Sequence, residues 1–369
     1  MNNENFQTFF DCGFSKIRAG TFNRNNNKEA FYVDSEFFID RSNLELKIQK
    51  IITCLEKKSN EYIDNISLMI DSPKMFSVGV SLSKKLDGSK LKQANIQFLA
   101  QEAKQQILKY YPNHNIAHII INNYKINGID YSYLPDKIKC NFISLDILFI
   151  CLPNDLVLYI KDIFSKSNIL VNQIVCSSYA KSINYKNDIN LSGYTTFIDI
   201  GFKKTSIISY CDDKIISLNV LPIGGNHITQ DISKILKIDL ESSEQMKLNF
   251  NQNFQPLNNE DMSIEVLEKI VFSRTEEILE LCAKSIESDS SSLGKPKILL
   301  IGEGSKILNK KYKDKISFLN DLDFLEETLK DICLSGFKFI KQLNKQEVVI
   351  VPKKQIKRGF FEKFFHFFR

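Results

Sequence analysis

Two similar strand–turn–strand segments, each with an Asp-x-Gly turn, lie about half a chain apart in this sequence of 369 residues. The first covers residues 6–20 around Asp11, and the second covers residues 195–209 around Asp199. In both segments an apolar run ends at the turn and a second β-like run follows at once, as in a hairpin with polar groups at its tip. Strand patterns alternate with helical patterns after each copy, which indicates α/β structure. The duplication therefore predicts two similar α/β halves that face one cleft.

The chemistry that such a cleft suits is phosphate binding. Backbone amides at turns of this type can hold phosphate groups, and an aspartate beside them can hold a metal-bound water. A single Asp-x-Gly turn is weak support for a site, because aspartate is also a common turn residue. Two copies in matching context support the prediction more strongly. A third glycine turn, Gly302-Glu303-Gly304, follows an apolar strand pattern late in the chain.

Composition and charge exclude several other classes of protein. The length favours two or more domains, and the net charge of +5 without a long basic run in the body gives no indication of nucleic-acid binding. The eight cysteines are scattered without a C-x-x-C pair, which is typical of reduced, mostly buried thiols rather than a zinc site. We expect neither a signal peptide nor a membrane-spanning helix, because no apolar stretch reaches about 18 residues.

The C-terminal segment has the pattern of a membrane-surface helix. On a helical wheel its phenylalanines fall within an arc of roughly 160°, opposite charged residues, and basic residues precede them. Such a short helix is marginal in water, so we expect it to order only on a membrane with anionic lipids. The alternative is a terminal helix packed on the protein's own core. The predicted membrane-contacting residues are Lys357, Arg358, Phe360, Phe361, Phe364, Phe365, Phe367 and Phe368.

Several segments taken together resemble the actin/Hsp70/sugar-kinase ATPase superfamily and, within it, the FtsA family of bacterial cell-division proteins. The two Asp-x-Gly hairpins resemble the phosphate-1 and phosphate-2 loops, and the turn at Gly302 stands where the adenosine loop has consecutive glycines. The amphipathic C-terminal segment is a further trait of that family. The other matching segments are Leu221–Ile232, Glu241–Lys247 and Ile270–Leu279.

The resemblance implies an actin-like, two-lobed α/β ATPase fold with an inserted subdomain. The expected first lobe comprises residues 1–66, 150–190 and about 337–350, with the inserted subdomain at 67–149. The expected second lobe comprises residues 191–240 and 297–336, with a partner-binding subdomain at 241–296. Residues 351–369 form the expected linker and membrane-targeting helix.

The resemblance also implies ATP and Mg²⁺ as ligands of the cleft, with Asp11 and Asp199 holding Mg²⁺ through water. Simpler interpretations remain open: ordinary turn aspartates, a solvated Lys16, a surface ion pair between Glu244 and Lys247, and glycines 302 and 304 that need positive φ whatever they bind. The residues expected at the nucleotide are Asp11, Gly13, Ser15, Lys16, Asp199, Gly201, Thr205, Gly224, Gly225, Asn226, Glu244, Lys247, Gly302, Gly304 and Ser305.

Departures from the family pattern argue against efficient ATP hydrolysis. Phe202 and Lys203 occupy later glycine places of the phosphate-2 loop, where side chains hinder close approach to phosphates, although a lysine could partly compensate by charge. Glu303 interrupts the adenosine-loop glycines. Ser177 stands where hydrolysing relatives carry a carboxylate that positions water. We expect no catalytic residue and little turnover.

The function implied by the resemblance is that of a cell-division tether. The protein would bind the C-terminal tail of FtsZ through residues 241–296, with Arg274 at the partner surface, and attach it to the cytoplasmic face of the bacterial inner membrane at the division site. Self-association into filaments is expected along the inserted subdomain, with ATP as a structural ligand or assembly switch. The alternatives are a kinase of the same superfamily and an actin homologue of the MreB or pilus-assembly type.

Overall fold

Two five-stranded sheets with the same topology form the two halves of the molecule. The computed structural model describes residues 6–25, 30–36, 43–135, 138–250, 261–289, 294–308 and 322–342. The first sheet has the strand order β3-β2-β1-β4-β9. Its strands are β1 (Phe6–Cys12), β2 (Lys16–Asn23), β3 (Ala30–Glu36), β4 (Asn65–Ile70) and β9 (Leu170–Cys176).

The second sheet repeats this arrangement in the order β12-β11-β10-β13-β14. In each sheet the first three strands form an antiparallel meander, and the last two run parallel to the first strand of that meander. The predicted duplication of an α/β half is therefore confirmed. The strands are β10 (Tyr194–Ile200), β11 (Thr205–Cys211), β12 (Lys214–Leu221), β13 (Lys297–Ile301) and β14 (Leu322–Phe324).

A third sheet, in the order β5-β8-β6-β7, forms the inserted subdomain. It consists of β5 (Phe76–Lys85), β6 (His114–Ile126), β7 (Ile129–Tyr131) and β8 (Phe142–Pro153), and it packs with helix α2 (Gln93–Tyr110) around a separate apolar core. Residues 67–70 belong to β4 of the first sheet, so this subdomain begins later than the expected residue 67. Its sheet also touches the second half, because Asn122 Nδ2 donates to the carbonyl of Ile215 at 2.7 Å.

Seven further helices cover the two five-stranded sheets among the described residues. Helix α1 shows why they form: its buried residues Leu44, Ile48, Ile51, Ile52 and Leu55 recur at helical spacing and face the core. In the first half lie α1 (Leu44–Ser59), α3 (Asn154–Lys166), α4 (Ser177–Asp188) and α8 (Leu329–Gln342). In the second half lie α5 (Gly225–Leu236), α6 (Leu240–Asn249) and α7 (Asp261–Asp289).

Helix α8 returns the chain to the first sheet. Phe337 stacks on Phe22 of β2 with ring centroids 4.7 Å apart and contacts Phe9 of β1 edge to face. Cys333 also lies against Gly20 of β2, and Gly336 lies against Met69 of β4. Residues 329–336 therefore lie on the first half, although the sequence predicts residues up to 336 in the second. Aromatic and aliphatic packing, which local patterns do not reveal, determines this boundary.

The predicted membrane helix lies outside the described residues, together with Lys357, Arg358 and the phenylalanines from Phe360 to Phe368. It stays a prediction from the sequence. Within the described ranges, every helix is too short or too polar to cross a bilayer.

Candidate functional site

The two Asp-x-Gly turns meet in the cleft between the halves. Asp11 lies near the end of β1 and Asp199 near the end of β10, and both side chains are almost fully buried. The turn after β10 also supports the start of α5, since the amide of Gly225 donates to the carbonyl of Gly201 at 3.0 Å and that of Asn226 to Phe202 at 2.7 Å. The duplicated hairpins thus place equivalent carboxylates on facing walls of the cleft.

A buried chain of alternating charges surrounds Asp199. Lys181 of α4 lies 2.9 Å from Asp199 Oδ1 and 3.2 Å from Glu327 Oε1. Lys204 lies 2.7 Å from Asp71 Oδ2 and 3.6 Å from Asp199 Oδ2. All five side chains are at most 9% exposed, so two lysines and three carboxylates share one low-dielectric site.

Proton affinities in this chain follow from burial and pairing. Burial would raise the pKa of Asp199, but the charges of Lys181 and Lys204 lower it overall. Burial raises the pKa of Glu327, against the opposing effect of Lys181. Burial alone would lower the pKa of Lys181, but Asp199 and Glu327 raise it. Burial would also lower the pKa of Lys204, but Asp71 and Asp199 raise it, so both lysines stay charged at neutral pH.

A second group of charges surrounds Asp11 and reaches across the cleft. Arg18 of β2 donates to Asp11 Oδ2 at 2.9 Å and lies 2.8 Å from Glu303 Oε2, while Lys16 lies 3.5 Å from Glu303 Oε1. Glu303 follows β13 in the second half, so it joins that half to two cations of the first. Ser177 donates to the remaining oxygen of Asp11 at 2.7 Å.

The pKa of Glu303 reports this environment. Burial would raise it, but the positive charges of Arg18 and Lys16 lower the pKa overall. For Arg18 the directions are reversed: burial would lower its pKa, but the charges of Asp11 and Glu303 raise the pKa overall. Glu303 therefore stands at neutral pH as a carboxylate anion held by two cations.

Two adjoining cavities lie in the cleft. The larger one, about 420 Å³, has Glu244, Lys247, Gly225 and Gly304 in its walls together with Lys16. This volume falls within the range of small-molecule sites. The smaller one, about 90 Å³, lies between Asp11 and Asp199. Ser15, Gly201, Phe202 and Glu303 border both cavities and so separate them.

Glu244 and Lys247 form a buried pair inside the larger cavity rather than the alternative surface pair. Their charged atoms are 2.6 Å apart, and both side chains are less than a tenth exposed. Lys247 also donates to the carbonyl of Gly225 at 3.1 Å and to the hydroxyl of Thr229 at 2.9 Å. Burial lowers the pKa of Lys247 although Glu244 opposes this. The pair places both charges where a polar ligand could meet them.

A divalent cation does not fit the charges that the structure places between the turns. Arg18 already binds Asp11, and Lys181 and Lys204 already lie beside Asp199. Mg²⁺ at that point would share the site with three cationic groups, at a high electrostatic cost. Within the described residues, no group of three or more His, Cys, Asp or Glu side chains is arranged to hold a metal.

Several of the expected site residues turn away from the cavities. The hydroxyl of Thr205 donates to the carbonyl of Ile223 at 2.8 Å, and that of Ser305 donates to Gly302 at 2.6 Å. Asn226 joins the loops through its backbone, and Gly224 is the residue before α5, so both belong to the turn that leads from β12 into this helix.

The two glycines after β13 differ in their backbone. Gly302 has φ 89°, as expected, but Gly304 is not among the described residues with positive φ, so that expectation was wrong. Gly304 is needed for close packing instead, because a Cβ there would lie 2.7 Å from the carbonyl oxygen of Ile200. The turn therefore packs tightly on the strand that carries Asp199.

Four charged residues of the cleft were not predicted from the sequence: Arg18, Asp71, Lys181 and Glu327. Arg18 left one signal, as a charged residue within an otherwise apolar strand pattern, and Asp71 directly follows an apolar strand. Lys181 and Glu327 carried no motif. Sequence separations as large as 146 residues explain why no local pattern marks these pairs.

A separate groove of about 490 Å³ lies on the second half between α5 and α7. Arg274 lies in its wall, where its Nε donates to Asp231 Oδ2 at 2.6 Å and its terminal nitrogen pairs with Glu277. Ile235 and Val266 contribute apolar surface that is 56% and 36% exposed. The groove thus combines an apolar wall with a charged rim.

Comparison with known sequences points to one family. The family model described as "Cell division protein FtsA" matches residues 196–307, which include the second hairpin, α5 and the turn at Gly302. The FtsA of Buchnera aphidicola subsp. Acyrthosiphon pisum is 25% identical over 372 residues, covering 85% of this chain and 84% of that protein. The FtsA of Agrobacterium fabrum is 20% identical over 295 residues, or 74% of this chain and 66% of that protein, so the match spans just under two thirds of its length.

Comparison with solved structures agrees on the fold. A chain of the PilM–PilN type IV pilus biogenesis complex superposes with a TM-score of 0.62 at 10% sequence identity, covering 89% of this chain and 96% of that chain. At this identity the likeness concerns the fold alone. The fold is the actin-like ATPase fold, as predicted.

Proposed function

We propose that this chain is an FtsA-like cell-division protein, which tethers FtsZ filaments to the cytoplasmic membrane without acting as an efficient ATPase. The observation that carries the proposal is the cleft, in which the charges that an ATPase would direct at nucleotide and metal are paired with one another. A scaffold role fits such a cleft better than phosphoryl transfer, which depends on charges kept available for the transferred group.

The contacts of Ser177 in the cleft argue against the alternative of a kinase of the same superfamily. Ser177, which stands where hydrolysing relatives carry a carboxylate, donates its hydroxyl proton to Asp11 at 2.7 Å. A serine in that role cannot act as a general base for an attacking water or acceptor hydroxyl. We propose that a nucleotide, where it binds, is a structural ligand or an assembly switch. Its nucleoside part would occupy the larger cavity beside Glu244 and Lys247.

Membrane attachment is assigned to the C-terminal segment, from its sequence. Deleting residues 360–369 is expected to lower binding to vesicles of phosphatidylglycerol and phosphatidylcholine by about a hundredfold or more, because six phenylalanines lose their apolar contact with the bilayer. Vesicle flotation measures the bound fraction. Phe324→Ser, which removes a phenylalanine that is 37% exposed on the second half, serves as control and should bind as the unaltered protein does. Equal flotation of the deletion variant would contradict the assignment.

The groove between α5 and α7 is the proposed binding surface for the FtsZ tail. Its apolar wall and charged rim suit a short peptide that carries both apolar and charged side chains. Partner binding of this kind concentrates in a few central residues, and arginine is common among them. Arg274 is held in place by Asp231 and Glu277, so its guanidinium is ordered before a peptide arrives.

Reversing the charge of Arg274 tests this surface. Arg274→Glu is expected to weaken binding of a labelled FtsZ C-terminal peptide by about tenfold or more, because it places a carboxylate beside Asp231 and Glu277. Fluorescence anisotropy gives the affinity. Lys284→Glu makes the same charge change at an exposed position further along α7 and should leave binding within about twofold. If both variants bind equally well, the tail binds elsewhere.

A further inference from the structure

Cationic side chains of this chain stand at the two carboxylates that face each other across the cleft. Arg18 binds Asp11 at 2.9 Å, and Lys181 and Lys204 lie 2.9 and 3.6 Å from Asp199. All three cations are at most 10% exposed, so they act in a low-dielectric environment. The protein thus supplies from its own sequence the positive charge that a divalent cation would bring to this point.

An anionic side chain is also present where the cleft narrows. Glu303 borders both cavities, and its two oxygens contact Arg18 at 2.8 Å and Lys16 at 3.5 Å. A carboxylate held by an arginine and a lysine has the contacts that a phosphate oxygen would make with the same groups. Because Glu303 belongs to the second half and both cations to the first, this carboxylate also connects the two walls of the cleft.

We propose that the cleft binds an adenine nucleotide without a divalent cation, and that Glu303 is an internal anion which the nucleotide's phosphate displaces from Lys16 and Arg18. The inference rests on the proposed function in one respect, that the larger cavity takes a nucleotide, and it specifies the form of that ligand. The nucleoside part occupies the larger cavity, and the phosphate enters at its border with the smaller one. Arg18, Lys16 and the buried lysines supply the charge compensation.

The volumes of the two cavities support this placement of the nucleoside and the phosphate. About 420 Å³ beside Glu244 and Lys247 is sufficient for a small organic ligand. The space between the aspartates is about 90 Å³, and the side chain of Phe202 stands at its border with the larger cavity. A hydrated metal with its phosphate ligands needs several oxygens around it and has no such room beside Lys204. The structure thus favours the metal-free nucleotide over the metal complex.

Calorimetric titration of the full-length protein tests the proposal. The unaltered protein is expected to bind ADP no more tightly in millimolar MgCl₂ than in EDTA, and more weakly to the extent that Mg²⁺ complexes the free ADP. Glu303→Gln keeps the shape of the side chain and removes its charge, and it should bind ADP about tenfold more tightly because no anion has to be displaced. Adenosine has no phosphate to compete with Glu303, so its affinity should be the same for both proteins.

A matched control distinguishes an effect of the Glu303 charge on ADP binding from the effect of removing any carboxylate. Glu326→Gln makes the same change at an exposed position before α8 and should leave ADP binding unchanged. Thermal unfolding of each variant verifies that it is folded, and the comparison of EDTA with MgCl₂ needs no variant at all.

Three results would overturn the proposal. They are ADP binding that strengthens tenfold or more with Mg²⁺, a Glu303→Gln variant that binds ADP no more tightly than Glu326→Gln, and a protein that binds neither ADP nor adenosine at millimolar concentration. None of them bears on vesicle flotation or on the binding of the FtsZ peptide. A failure of this inference is therefore distinguishable from a failure of the tether.

Discussion

Lys181→Met is expected to lower the free energy of unfolding by about 3–5 kcal/mol, the cost typical of removing one partner from a buried ion pair. Lys181 is the cation between Asp199 and Glu327, at 2.9 and 3.2 Å, and its removal leaves these buried carboxylates near each other without it. Glu327 also accepts from the amide of Gly302 at 2.8 Å, so the disturbance reaches the turn that follows β13. Urea denaturation measures the loss.

Lys338→Met is the matched control. Lys338 pairs with Asp188 at 2.8 Å between α8 and α4, but the two side chains are 31% and 49% exposed. Solvent screens this pair, so its loss should cost less than about 1 kcal/mol. Equal losses in the two variants would show that the buried charges around Asp199 do not depend on Lys181.

The Lys181 variant should also depend on pH in a defined direction. Burial raises the pKa of Glu327 in the folded protein, and removal of Lys181 takes away the charge that opposes this. A carboxyl group whose folded pKa lies above its unfolded value stabilises the fold below the unfolded pKa and loses that contribution as pH rises through the folded value. The loss in free energy of unfolding caused by Lys181→Met should therefore be smaller at pH 5 than at pH 8.

Gly302→Ala is expected to destabilise the protein by at least about 3 kcal/mol, the sum of a strained backbone and a steric conflict. Gly302 has φ 89° and ψ 151°, a conformation that is nearly restricted to glycine. An added Cβ would lie 2.4 Å from Asp199 Oδ1 and 2.5 Å from the carbonyl oxygen of Ile200. It cannot be accommodated unless the strand that carries Asp199 moves.

Gly128→Ala measures the cost of a positive φ without the steric conflict. Gly128 lies between β6 and β7 with the same φ of 89°, but a Cβ there would meet nothing within 4 Å. Its replacement should cost about 1–2 kcal/mol, from backbone conformation alone. Urea denaturation of both variants gives the comparison. If the two losses are the same, close packing of the turn against β10 does not contribute.

The element boundaries show how far local patterns reach. Apolar spacing in the sequence predicts a helix at Leu44–Lys58, a strand at Ile66–Ile70 and a helix at Lys90–Tyr110, and the structure has α1, β4 and α2 at nearly those positions. The pattern succeeds because a helix or strand that buries one face must repeat apolar residues at its own period. Boundaries between the halves were less accurate, as α8 shows, because they depend on which surface an element packs against.

Within the cleft, the sequence identified the turns but not the charges that fill it. Asp11, Asp199 and the glycines stand in motifs with a fixed local spacing, so their meeting could be predicted from the duplication. The sequence suggested only that a lysine of this loop could partly compensate by charge for the lost glycines, and the structure places Lys204 between Asp71 and Asp199. That position depends on β4 and β10 facing each other.

The sequence by itself determined the two α/β halves, the facing Asp-x-Gly turns and the amphipathic pattern of the C-terminal segment, because each is written in local periodicity or in a repeated motif. Only the tertiary structure decided that the charges of the cleft pair with one another. Lys181 and Glu327 are 146 residues apart, and Arg18 meets Glu303 from the opposite half. Electrostatic pairing depends on distance in space and on burial, and neither quantity has a period along the chain.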